Sequence, residues 1–132
     1  MTKFYSDILQ EPTELLKTLN FILGEGKPSI DQAVRILAEA RHVYIVGIGS
    51  SWNAGLAVMS FLHSAGRPAI LCEASELLHF GEIAHHAAVI FLSRSGKSIE
   101  IVRLLDQAAA RGAKVIAITN TPDSPQDCSL TP

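Results

Sequence analysis

The stretch His42-Val43-Tyr44-Ile45-Val46-Gly47-Ile48-Gly49-Ser50-Ser51-Trp52-Asn53 runs from β-branched and aliphatic side chains into glycine and serine, and then into helical periodicity. A second stretch, Ala87-Ala88-Val89-Ile90-Phe91-Leu92-Ser93-Arg94-Ser95-Gly96-Lys97-Ser98, makes the same passage. Strands that are apolar throughout and turn into amphipathic helices predict a parallel sheet covered on both faces. Both loops then fall on one rim of that sheet. Free backbone N–H groups and the positive ends of the following helices converge there and favour an anion such as phosphate.

Working outward, the pattern alternates. It predicts strands at 42–47, 69–72, 87–92 and 114–119, with helices at 52–64, 74–80 and 98–110 between them. Gly66 and Gly112 stand where helix C-termini need a left-handed residue. Ahead of the first strand, Phe4, Ile8, Leu15, Leu16, Leu19, Phe21, Ile22 and Leu23 fall mostly on one helical face. The proline at position 12 predicts a short helix followed by a longer one over 12–23. Ser29-Ile30-Asp31-Gln32 has the form of a capping box and predicts a further helix ending near Ala40. Residues 1–28 read as a helical lead-in and 29–132 as a single α/β domain. After the fourth strand comes the turn-rich Thr119-Asn120-Thr121-Pro122-Asp123-Ser124-Pro125. A doubly wound sheet would continue into another helix and strand, so the domain is expected to be truncated after about residue 125.

The 132 residues are 48% hydrophobic, 18% charged and 6% aromatic, a balance that fits an aliphatic α/β core. Net charge is −2 with Lys and Arg scattered, which argues against a nucleic-acid partner. Cys72 and Cys128 lack metal or redox spacing, so a reduced, cytoplasmic setting is expected and Cys72 reads as a small hydrophobe. The N-terminus has no signal-peptide core, and no apolar run approaches the length of about 20 residues that spans a bilayer.

Within the second loop, Ser93, Ser95 and Ser98 supply hydroxyls beside several backbone N–H groups, a cradle for about three phosphate oxygens. The alternative is that Ser95 and Ser98 only cap the next helix. It is no Walker A loop, because Ile90 or Phe91 stands where the first glycine would be. The first loop opens like a dinucleotide fingerprint, with Glu73 placed to grip a ribose, but Trp52-Asn53 occupies the third glycine position. Ser50 and Ser51 suit sugar hydroxyls or a second flank of the same phosphate.

Together these loops resemble the sugar isomerase (SIS) domain of phosphosugar isomerases and of phosphosugar-sensing transcription regulators. Gly49-Ser50-Ser51-Trp52-Asn53-Ala54-Gly55 is similar to the family's Gly-Thr/Ser-Ser-x-x-Ala-Gly loop, and Ser93-Arg94-Ser95-Gly96-Lys97-Ser98 to its Ser-x-Ser-Gly-x-Thr loop. Ala74-Ser75-Glu76-Leu77 and the segment from Ile118 to Pro125 also look like family segments. The lead-in around Asp7–Pro12 resembles that of the isomerase part of glucosamine-6-phosphate synthase. The resemblance implies a three-layer flavodoxin-like domain with sheet order 2-1-3-4, with a fifth strand expected that the reading of the sequence does not find before residue 132. It implies a hexose 6-phosphate or amino-hexose 6-phosphate as ligand, held at the phosphate by Ser93, the Arg94 backbone, Ser95, Gly96 and Ser98, and at the sugar end by Gly49, Ser50 and Ser51. No cofactor and no metal is implied.

The family's isomerases carry two such domains in tandem, with ring-opening and proton-shuttling residues largely in the second. Two readings therefore stand: the first half of an aldose–ketose phosphosugar isomerase or isomerising aminotransferase, and a stand-alone sugar-phosphate sensor without catalysis. Isomerisation needs a carboxylate near the sugar. Glu76, after the second strand, is the best local candidate. Glu82 and Glu100 are weaker, since Glu100 most simply complements a helix dipole. His79, His85 and His86 read as surface histidines, and Lys97 as a solvated charge or an addition to the phosphate site. The apolar faces of the N-terminal helices and of the helix after the Gly47 loop predict a homodimer.

Overall fold

The computed structural model describes residues 2–121. The predicted truncation after residue 125, and Cys128, lie outside them. The elements are α1 (Lys3–Leu23), α2 (Lys27–Glu39), β1 (Val43–Gly47), α3 (Ser50–Ser64), β2 (Ile70–Glu73), α4 (Ala74–Phe80), β3 (Ala88–Leu92), α5 (Ile99–Ala110) and β4 (Lys114–Ile118). The chain divides into two compact units, Met1–Arg35 and Ile36–Pro132.

In the first unit, α1 is one continuous helix, not the two expected. Pro12 lies inside it and removes a single N–H donor, and the turns on either side carry the helix across. Helix α2 begins at Lys27, two positions ahead of the expected Ser29 cap. Its first turn is closed by Lys27 N–H donating to Gly24 O and Ile30 N–H donating to Gly26 O, both at 3.1 Å. Pro28 sits in that first turn, where its missing N–H has no partner to lose.

The second unit is the α/β domain. Its sheet is four-stranded and fully parallel, in the order β2-β1-β3-β4. The two central strands are buried along their whole length, whereas the outer strands β2 and β4 are only partly covered. Because successive strand residues face opposite sides, β1 and β3 feed two separate layers. Tyr44, Val46, Val89 and Phe91 join Leu77 of α4 and Ile101, Leu104, Leu105 and Ala108 of α5 in one core. On the other face, Gly55 brings α3 close to the sheet. A Cβ at that position would lie 2.6 Å from Leu71 Cδ1 and 3.2 Å from Ile45 Cγ2. The result is the three-layer arrangement expected, with strand order 2-1-3-4.

Two polar contacts hold the periphery of this unit. The Arg67 guanidinium donates to Leu37 O and, at 2.6 Å, to Ala40 O, carbonyls at the end of α2. Tyr44 OH donates to Glu82 O at 3.4 Å and accepts from Ala84 N–H at 3.3 Å, which anchors the connection into β3. Gly66 and Gly112 take the left-handed conformation anticipated for them, with φ of 73° and 64°.

Candidate functional site

Strands β1, β3 and β4 end on the same rim, and a cavity of about 710 Å³ opens there. The β1–α3 turn contributes Ile48, Ser50 and Ser51, and the β3–α5 turn contributes Leu92, Ser93, Arg94, Ser95, Ser98 and Ile101. Asn120 and Thr121 close it from beyond β4. Among the described residues, the lining has one charged member, Arg94, and no carboxylate. Two helices, α3 and α5, begin at this cavity, and their leading amides add positive potential.

The β1–α3 turn is shaped by the absence of side-chain atoms. A Cβ on Gly47 would sit 2.8 Å from the backbone of both Ser51 and Trp52, so only glycine lets the strand end pass under the first turn of α3. Gly49 precedes that helix with φ of 56°, a conformation that L side chains rarely adopt. It makes no side-chain cap, which leaves Ser50 and Ser51 at the cavity on the opening turn of α3.

The β3–α5 turn is built by hydroxyls. Ser93 is buried, and its Oγ accepts from Gly96 N–H at 3.0 Å. Ser95 Oγ accepts from Lys97 N–H at 3.3 Å. Ser93 N–H itself donates to Ile118 O at 3.1 Å, tying the turn to the end of β4. Ser98 occupies the N-cap of α5, yet its side chain makes no capping hydrogen bond. The first helical bond of α5 runs from Val102 N–H to Ser98 O at 3.0 Å, so the amides of Ile99, Glu100 and Ile101 precede it as unclosed donors.

Of the residues expected to bind, Ser50, Ser51, Ser93, Arg94, Ser95 and Ser98 meet on the cavity wall. Gly49 and Gly96 shape the two turns; Gly96 has φ of 62° and donates its N–H to Ser93. Glu76 is exposed on the first turn of α4, outside the lining. Glu82 pairs with Arg111 at 3.1 Å, and Arg111 also meets His85 Nε2 at 3.3 Å, at the opposite edge of the sheet where β3 and β4 begin. Among the described residues no cluster of His, Cys, Asp and Glu could hold a metal ion. None of their helices is long and apolar enough to cross a membrane.

Three features escape a reading of the sequence. Asn120 and Thr121 line the cavity, although the sequence marks their segment only as a family likeness. Glu73 is the N-cap of α4: its Oε2 accepts from Ser75 N–H at 2.8 Å and from Glu76 N–H at 3.2 Å, which commits that carboxylate away from any ribose. The Glu-Ala-Ser-Glu order places an acidic residue directly before a helix, where it complements the dipole, and that was the available signal. Beside it, burial and then the charge of Glu76 push the Cys72 thiol up from its ordinary value, which disfavours the thiolate.

Residues 36–127 match the SIS domain. The chain belongs to the SIS domain family. It is 33% identical over 122 residues to a glutamine–fructose-6-phosphate aminotransferase [isomerizing] from Streptococcus mutans, covering 89% of this chain and 20% of that protein. It is 35% identical over 92 residues to arabinose 5-phosphate isomerase KdsD from Pseudomonas aeruginosa, covering 68% of this chain and 28% of that protein. The chain therefore spans less than a third of the length of either relative. Among solved structures, an E. coli CFT073 protein superimposes with a TM-score of 0.76 at 22% identity, over 98% of this chain and 71% of that one. At that identity the likeness is one of fold, and it extends through the SIS sheet and its N-terminal helices.

Proposed function

We propose that this SIS domain binds a hexose 6-phosphate or amino-hexose 6-phosphate in the cavity at the C-terminal rim of its sheet. The phosphate sits against Ser93, Arg94, Ser95, Gly96 and Ser98, and the sugar end faces Gly49, Ser50 and Ser51. The observation that carries the reading is Ser98, an N-cap serine whose hydroxyl does not cap its helix and lines the cavity instead. A serine kept there only for the helix would accept from the amides of the first turn. The hydroxyl and the amides of Ile99, Glu100 and Ile101 are left without an intrahelical partner at the start of a helix that begins at the cavity, the arrangement an anion satisfies. Among the described residues, Arg94 adds the one lining charge and no lining carboxylate opposes it.

The role proposed for the domain is the first half of an aldose–ketose phosphosugar isomerase or isomerising aminotransferase. Proton transfer between C1 and C2 requires a carboxylate near the sugar. Glu76 is the residue proposed for it within this chain, although it stands outside the lining. A homodimer through the N-terminal helices and α3 belongs to the same reading. It is supported by exposed Phe4, Leu15 and Leu23 on α1 and Phe61 on α3, and a monomer boundary in sedimentation at high concentration would count against it.

The test is calorimetric titration with fructose 6-phosphate and glucosamine 6-phosphate. Trp52, the single tryptophan, neighbours Ser51 and offers a second readout by fluorescence. Ser95→Ala is expected to weaken binding by about 1–3 kcal/mol through loss of a hydroxyl donor to a charged oxygen. No binding by the folded wild-type protein sinks the proposal. Binding with isomerase turnover favours the catalytic half, and binding without turnover favours the sensing role.

A further inference from the structure

The Arg94 carbonyl accepts from three donors that all follow β4: Thr121 Oγ1 at 3.2 Å, Thr119 Oγ1 at 3.3 Å and Asn120 N–H at 3.3 Å. Thr119 Oγ1 accepts in turn from Thr121 N–H at 3.2 Å, which directs its own proton to Arg94. A carbonyl has two lone pairs, so three donors exceed what satisfying it requires. Such an arrangement fixes direction.

The direction matters because of what lies across the peptide bond. The Arg94–Ser95 peptide is trans, so Ser95 N–H points opposite to the Arg94 carbonyl. That N–H donates to no acceptor among the described residues. Donors gathered on the carbonyl also polarise the amide and strengthen the N–H toward an anion. Both residues of this peptide line the cavity, as does Thr121.

We infer that Thr119 and Thr121 are positioning residues for the anion, acting through the Arg94 carbonyl to aim and polarise the Ser95 N–H. The inference rests on the phosphate reading above. Neither hydroxyl needs to touch the ligand to perform this task. The segment after β4 thereby becomes part of the binding machinery.

The test compares wild type with Thr119→Val/Thr121→Val, which keeps side-chain shape and removes both hydroxyls, and with Thr119→Ser/Thr121→Ser, which restores them. Each is titrated with fructose 6-phosphate and with inorganic phosphate, while the Ser95 amide is followed in ¹H–¹⁵N spectra. The valine pair is expected to lose about ten-fold in affinity for both probes, and the serine pair to recover it. The phosphate-induced shift of the Ser95 amide is expected in wild type and the serine pair and to shrink in the valine pair. Equal affinity and an equal Ser95 shift in the valine pair overturn the positioning role and leave the phosphate reading intact. Absence of wild-type binding overturns that reading and the inference with it. Should the valine pair fail to fold, Thr121→Val alone carries the test, because Thr121 Oγ1 donates to Arg94 and Thr119 keeps its own turn.

Discussion

The two rim turns do the same topological job by opposite means. Between β1 and α3 the chain needs only Ile48 and Gly49, and the turn exists because atoms are missing: Gly47 has no room for a Cβ and Gly49 takes a positive φ. Between β3 and α5 the chain runs from Ser93 to Ser98, and atoms added on purpose hold it, through Ser93 Oγ, Ser95 Oγ and the bonds on the Arg94 carbonyl. A steric turn is rigid but presents little chemistry. A hydroxyl-built turn has donors to spare, and those reach the cavity.

The contrast breaks most readily at Gly47. Gly47→Ala forces a Cβ to within 2.8 Å of backbone atoms that belong to a helix and cannot swing aside. It is expected to cost about 3 kcal/mol of stability, read as a lower urea midpoint at unchanged slope. Ser93→Ala comes next, at about 2 kcal/mol, because Gly96 N–H would be left buried without its acceptor. A Ser93→Ala cost equal to that at Gly47 would mean that the second turn is held as rigidly as the first. The smallest effect on stability is expected at Ser98. An N-cap Ser→Ala change ordinarily costs about 1 kcal/mol, but here no capping bond exists to lose, so Ser98→Ala should stay within about 0.5 kcal/mol of wild type. The same variant should bind fructose 6-phosphate more weakly. A normal capping penalty in thermal unfolding would show that the hydroxyl serves the helix after all and would remove the main support for the phosphate reading.

Much of this was legible beforehand. Apolar runs such as Ala88–Leu92, separated by amphipathic helices, point to strands of a parallel sheet covered on both faces, and helix α4 was expected over the very residues it occupies. Local signals misled where context outweighed them. Pro12 did not divide α1, because losing one donor leaves the neighbouring turns able to propagate. The Ser29 box did not start α2, because Gly24 and Gly26 supply carbonyls to an earlier turn. In the site, six of the expected binding residues were brought to one cavity wall, while Asn120 and Thr121 arrived from a segment too far along the chain for spacing to link them to Ser93.

Taken alone, the amino-acid order determined the strand–helix alternation, the two Gly/Ser turns and the SIS resemblance, since these follow from side-chain periodicity and from backbone conformations that neighbouring residues dictate. Only the tertiary structure decided which hydroxyls are free. Ser93 is engaged by Gly96 and Ser98 is not, although both are serines in the same turn. It also decided that Thr119 and Thr121 reach the Arg94 carbonyl, a contact made when β4 pairs with β3 in register from Ala88↔Lys114 to Leu92↔Ile118. Hydrogen bonds have direction and short range, so which donor meets which acceptor is settled only when the sheet brings distant segments together.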